Sequence, residues 1–252
     1  MNETLDVSDG GYRSLPLVPQ FSAGVAALPG HALRRVRFER PVALAEGFAL
    51  IEAHLKAAGR PPASFASCEL RSPEPFTEAS FAAFNRIYLR TLEDWGVMRN
   101  GANPVARTNV CPVHRPPQTP SFHAFSYTVE EREAPFSFVI AGSCEVPENQ
   151  PGEYASHIVR YGETSPDAIR EKARFVLGEL ERRLALLGGS WDGVTGTHAY
   201  TVHDLGAFLA EEIVSRGAAP HGLTWNTHRP PVIGLEFEMD CRRVFSEAVL
   251  PA

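Results

Sequence analysis

The sequence predicts an α/β (α+β) chain of two tandem units, residues 1–132 and 133–252, each a mixed sheet with two helices packed on one face. Three observations lead there. Strand-like and helix-like periods alternate along the chain, and they do so twice in the same order. The passage helix, glycine, strand that ends at Phe65–Leu70 recurs as helix, Gly188, Val194–Ala199, 129 residues on. The tetrapeptide His114-Arg115-Pro116-Pro117 recurs as His228-Arg229-Pro230-Pro231, 114 residues on, at the same place in that order. A longer Pro-rich loop and helix in the first half account for the difference. A repeated unit predicts pseudo-symmetric packing.

Residues 1–32 are rich in Gly, Pro and Ser and read as an arm with at most a short strand. Leu33–Phe38 alternates apolar and basic residues, the period of a strand. Ala43–Ala58 then takes the helical period, with Leu44, Phe48, Ile51 and Leu55 on one face and Gly59 as the stop. Phe65–Leu70 reads as a strand. Thr77 stands in N-cap position before a long helix that carries Phe81, Phe84, Tyr88 and Leu92 on one face. Thr108–Val113 and Phe122–Val129 read as closing strands. In the second half Phe136–Ala141 is a strand, and Ser165–Leu187 is the clearest helix. Its Ser165 cap, Pro166 at the first turn and Gly188-Gly189 end are all helix-boundary signals. Val194–Val202 is a strand, Leu205–Val214 a second helix, and Leu223–Trp225 and Val232–Met239 close the unit. The polar stretch 147–162 is long enough to serve as a lid.

Composition excludes several classes of function. The 24 basic and 30 acidic residues leave a net charge of -6, and the basic ones form no stripe for a phosphate backbone. No run approaches the ~18–20 apolar residues of a membrane span. The opening Met1-Asn2-Glu3-Thr4-Leu5-Asp6 is acidic where a signal peptide is basic. Cys68, Cys111, Cys144 and Cys241 lie far apart with no C-x-x-C spacing, which reads as packed, reduced thiols. A cytoplasmic protein without nucleic-acid or membrane partners is therefore expected. The histidines show no metal spacing, and no nucleotide loop or nucleophile elbow occurs, so neither metal nor cofactor is expected.

The segments Phe138-Val139-Ile140-Ala141-Gly142-Ser143, Leu187-Gly188, Val194–Asp204 and Gly234-Leu235-Glu236-Phe237-Glu238-Met239 together resemble the RidA/YjgF (Rid) superfamily of imine and enamine deaminases. Residues 33–129 resemble it in layout with most letters lost. The resemblance implies Rid/chorismate-mutase-like domains in tandem, the first degenerate, and a homotrimer with clefts between domains. It also implies an arginine that clamps a substrate carboxylate and a glutamate, about fifteen residues later, that positions water. A guanidinium offers a planar fork to a carboxylate, and a cleft carboxylate can hold water or shuttle its proton.

The two groups are split between the halves. Arg107, in Arg107-Thr108-Asn109-Val110-Cys111, matches the clamp and makes Arg107, Asn109 and Cys111 candidate substrate-binding residues. The matching stretch Pro120–Ala124 holds no acid. In the second half the glutamate position falls on Glu236, with His221 in place of the arginine. Glu236 and His221 are the candidate catalytic residues. Glu238, two positions on, is expected to share the side of Glu236 and either enter the cleft or pair with Arg242 or Arg243. The expected function is a deaminase (a hydrolase) of an imine, enamine or aminated unsaturated small carboxylic acid. The alternatives are a non-catalytic carboxylate-binding or regulatory module, or a chorismatase-like activity. A trimer of two-domain chains is the expected assembly, with a dimer as the alternative.

Overall fold

The computed structural model describes residues 4–148 and 150–251. The acidic opening at 1–3 and one position of the expected lid, Asn149, fall outside them. In chain order the strands are β1 (Leu5–Val7), β2 (Tyr12–Val18), β3 (Phe21–Ala27) and β4 (His31–Ala43). Helix α1 (Leu44–Ala57), strand β5 (Phe65–Arg71), helix α2 (Glu78–Asp94), β6 (Ala106–Pro112) and β7 (Ser121–Glu130) complete the first half. The second half holds β8 (Phe138–Cys144), α3 (Pro166–Leu187), β9 (Gly196–Tyr200), a π-helical turn (Leu209–Val214), β10 (Thr224–Asn226), β11 (His228–Arg229), β12 (Glu238–Arg243) and β13 (Glu247–Leu250).

One sheet runs through both halves in the order β10-β9-β12-β8-β3-β6-β5-β7-β4-β13, with β2 also on β3, β1 on β2 and β11 on β6. Each half contains the same pairing series. β4 pairs antiparallel with β7, β7 antiparallel with β5, and β5 parallel with β6. Likewise β8 pairs antiparallel with β12, β12 antiparallel with β9, and β9 parallel with β10. The N-terminal segment read as an arm is instead the joint, since β3 hydrogen-bonds to β8 of the other half.

The helices form where their caps and stripes place them. Ser165 Oγ accepts from Ala168 N at 3.2 Å, Gly188 closes α3 at φ 81°, and Thr77 Oγ1 caps α2 on Ser80 N at 3.1 Å. α3 buries Ile169, Ala173, Val176, Leu177, Leu180 and Leu184 against Phe138, Ile140 and Met239 of the sheet. In the first half Phe48, Phe84 and Tyr88 pack on Phe65, Phe122 and Phe125. The aromatic residues thus fill the helix-covered core, not a face left open for another unit. The other side of the sheet is polar: Arg35 holds Glu69 through two bonds of 2.6 and 2.8 Å. Along β12, Glu238, Asp240 and Arg242 alternate with Met239 and Cys241 of the apolar core.

Two expected elements differ. The second helix of the second half is a single π-helical turn, Leu209–Val214. The last long strand begins at Glu238 and not at Val232, because Val232–Leu235 closes a turn in which Leu235 N donates to Val232 O.

Candidate functional site

Strand β3 touches β6 at one position only, Ser22 opposite Ala106, so β6 and β8 part around its end. A cavity fills the gap, lined by Phe21, Arg107, Asn109, Gly142, Cys144 and Glu238 from the sheet. Phe81 of α2 walls it from the first half. Val146, Glu148 and Tyr154 close it from the segment after β8, and Pro231, Val232 and Leu235 from the turn before β12. That turn is tied across the halves, since Phe76 N donates to Pro231 O at 2.7 Å and Ile233 N to Phe76 O at 2.9 Å.

Arg107 is buried, with 4% of its surface exposed. Its Nη2 donates to Asn85 Oδ1 at 2.8 Å, and its Nη1 has no partner among the described residues. Four rings surround the guanidinium: Phe21 and Tyr88 at 4.8 Å, Phe84 at 5.4 Å and Phe81 at 5.7 Å. No carboxylate forms an ion pair with it among the described residues. Cation–π contacts supply about 0.5–2 kcal/mol each, while stripping water from an unpaired charge costs several kcal/mol. Burial accordingly pulls the Arg107 pKa below its usual value. Such a group is stable once an anion fills the open side of its fork, and a carboxylate matches that geometry. Beside it, Asn109 accepts from Ser72 Oγ at 2.9 Å through Oδ1, and its Nδ2 is also unpartnered.

Glu238 is the second buried ionisable group on the cavity wall. Burial pushes its carboxyl up to about 8, opposed by a hydrogen bond from Cys144 and reinforced by the charge of Asp240. Cys144 Sγ donates to its Oε2 at 3.3 Å, and burial holds that thiol well above its ordinary value. Asp240 Oδ2 accepts from Thr108 Oγ1 and Tyr200 OH, each at 2.9 Å, which fixes the neighbouring charge. Burial thus favours the protonated form of Glu238, a form able to donate a proton. Glu148, which accepts from Tyr154 OH at 3.4 Å, is also pushed up by burial. The entry to β12 is held by Glu145, whose carboxylate accepts from Glu236 N at 2.6 Å and Phe237 N at 3.1 Å. Lys172 pairs with Glu145 at 3.3 Å, both side chains fully enclosed. Among the described residues no cluster of three or more His, Cys, Asp and Glu could hold a metal.

Of the expected site residues, Arg107 and Asn109 line the cavity, as does Glu238 in the first of its two expected placements, while Glu236, His221 and Cys111 do not. Glu236 lies in the turn before β12, so pleat alternation does not put it beside Glu238. Its carboxylate instead takes His203 Nε2 at 2.8 Å and lies 3.7 Å from Arg229. His221 is exposed and lines a separate open groove with His198, Thr224, Arg242 and Glu247. Cys111 is buried on β6 opposite Arg229, outside the cavity, and burial pushes its thiol up to about 12. Within the chain, then, neither Glu236 nor His221 meets Arg107. Nor does Glu238 pair with an arginine: Arg242 donates to Glu247 at 2.9 Å. Glu148 and Tyr154 belong to the stretch 147–162 expected as a lid, and both line the cavity; the sequence reading missed Asn85. Asn85 had a signal, a polar residue four after Phe81 and three before Tyr88 within an apolar helical stripe.

Comparison with known proteins gives four likenesses. The family described as 2-aminomuconate deaminase CnbZ matches residues 4–248. A 2-amino-5-chloromuconate deaminase from Comamonas testosteroni is 50% identical over 252 residues, covering 99% of this chain and all of the relative. Two solved structures share parts of the chain. One is an L-PSP endoribonuclease candidate from Entamoeba histolytica and the other RidA from an Antarctic Psychrobacter, at 20% and 17% identity. Each covers 43% of this chain and 80% of its own, with a TM-score of 0.30.

Proposed function

Since the chain belongs to the 2-aminomuconate deaminase CnbZ family, we propose that it hydrolyses the amino group of an aminated unsaturated carboxylic acid in the Arg107 cavity. The observation that carries this reading is a buried guanidinium, one nitrogen of it unpartnered among the described residues, lining the same cavity as the buried Glu238 carboxyl. The substrate's carboxylate beside the amine fills the open side of Arg107, with Asn109 Nδ2 as a further donor. Phe21, Phe81, Val146, Val232 and Leu235 cover the unsaturated chain.

Glu238 moves the protons. In its protonated form it delivers a proton to the enamine carbon, and the C=C–NH2 unit becomes an iminium. Water then adds to the iminium carbon and gives a proton to the Glu238 carboxylate. The resulting carbinolamine takes that proton on nitrogen, the C–N bond breaks as the hydroxyl proton returns to the Glu238 carboxylate, and ammonia leaves behind a carbonyl and a protonated Glu238. The balance is one water consumed and one ammonia released. A group that titrates near the working pH serves both directions of transfer.

Ammonia release from 2-aminomuconate tests the reading. The wild type should exceed the free-solution rate, and Arg107→Gln should raise KM by about tenfold or more through loss of a charge-assisted fork. A wild type no faster than free solution, or an Arg107→Gln variant with unchanged KM, would refute it.

The shared pairing series of the two halves supports a tandem origin of units 1–132 and 133–252, and an assembly of three chains is the reading the RidA/YjgF resemblance implies. Light scattering bears on the assembly. A mass near three 27.6 kDa chains is expected, and a mass near one chain would remove it.

A further inference from the structure

We propose that Asn85 is a positioning residue that fixes the Arg107 guanidinium without neutralising it, so that the cavity keeps a full positive charge for the substrate. This rests on Arg107 being the carboxylate clamp. Asn85 is buried, 6% exposed, on the face of α2 that carries Phe84 and Tyr88. An amide there gives up packing and must be hydrogen-bonded to be tolerated. Its Oδ1 takes Nη2 at 2.8 Å and leaves Nη1 open.

Three of the four other buried arginines among the described residues show what the alternative looks like. Arg35 is held by Glu69, Arg183 by Glu179 and Arg242 by Glu247, each through a carboxylate, while Arg71 donates to Leu70 O and lies over the Tyr200 ring. Aspartate has nearly the same shape as asparagine, and at position 85 it would make Arg107 one more internal ion pair. A substrate carboxylate would then approach a neutral pair, with repulsion from one member offsetting attraction to the other. The amide supplies the geometry of that contact and omits its charge. The four rings around the guanidinium likewise hold it in place without a formal negative charge.

The test uses the full chain as wild type, Asn85→Asp, Asn85→Ala and Arg107→Gln. Calorimetry gives the Kd of cis,cis-muconate, the substrate skeleton without its amine. Thermal unfolding and 2-aminomuconate turnover are read alongside. Asn85→Asp should bind muconate about tenfold or more weaker, melt at or above the wild-type temperature, and lose thermal protection by muconate. Asn85→Ala keeps the charge but releases the fork. Its Kd should stay within about threefold while kcat falls about tenfold, since misplacement acts on the reacting geometry.

Wild-type affinity in Asn85→Asp, or weaker binding there accompanied by a lower melting temperature, would overturn the proposal. Wild-type kcat in Asn85→Ala would do so even if Asn85→Asp did not fold. Arg107→Gln separates the two readings. Wild-type muconate affinity in that variant defeats the clamp itself. Lost affinity there beside normal affinity in Asn85→Asp defeats only the role of Asn85.

Discussion

Glu238→Gln should remove a large pH dependence of stability. In the folded chain burial moves the Glu238 carboxyl from an ordinary 4.5 to about 8. At about 1.4 kcal/mol for each pH unit, that displacement corresponds to about 5 kcal/mol against the ionised form. The direction follows from proton counting. Between pH 4.5 and 8 the unfolded chain has released this proton and the folded chain retains it. The folded state binds more protons, so this group's contribution to stability falls as pH rises through that window. Above about pH 8 both states are ionised and the contribution levels off. Glutamine fills the same space without titrating. Urea unfolding of both proteins from pH 5 to 9 should show the wild type losing stability relative to Glu238→Gln, by about 5 kcal/mol as an upper bound. Over the same range the variant's turnover should fall at least about 100-fold, the usual weight of a general acid–base group. A stability difference that stays constant with pH would refute the enclosed, protonated carboxyl, and unchanged turnover would refute its chemical role.

Gly142→Ala should act on the same group, because a Cβ at Gly142 would run into Glu238 Oε1. Turnover should drop about tenfold with the fold retained, checked by kinetics alongside circular dichroism. Lys172→Ala leaves Glu145 enclosed without its cation, and the entry to β12 loses its anchor; the expected cost is about 3–5 kcal/mol in urea unfolding. His221→Ala should leave kcat/KM within about twofold, as expected of a surface substitution outside the cavity, and a tenfold loss would show that the open groove takes part in the reaction.

Much of the layout was legible because it rests on local rules. Ser165-Pro166 and Gly188 bound α3, Thr77 caps α2, and the stripes of both helices face the core. The place of Arg107 and Asn109 on β6 was also legible, since the repeated His-Arg-Pro-Pro fixed the register of that strand. Two kinds of feature were not. Strand β3, Phe21-Ser22-Ala23-Gly24-Val25-Ala26-Ala27, is crowded on both faces and so uses small residues that read as loop. A Cβ at Gly24 would lie 2.9 Å from Val139 O and 3.0 Å from Leu187 Cδ1. The choice between Glu236 and Glu238 depended on where β12 starts. The turn at Val232–Leu235 delays that start, and Glu145, far away in sequence, holds it there. Burial of Glu238 and the missing counterion of Arg107 are likewise long-range facts, visible only once β6, β8 and α2 are packed.

The central claim is that the open nitrogen of Arg107 receives the substrate carboxylate beside Glu238. A crystal structure of the wild type with cis,cis-muconate tests it most directly. The account predicts a muconate carboxylate within ~3 Å of Arg107 Nη1, with its chain against Phe21 and Phe81 and an end near Glu238. Muconate seated instead in the groove of His198 and His221, with the Arg107 cavity free of it, would contradict the account.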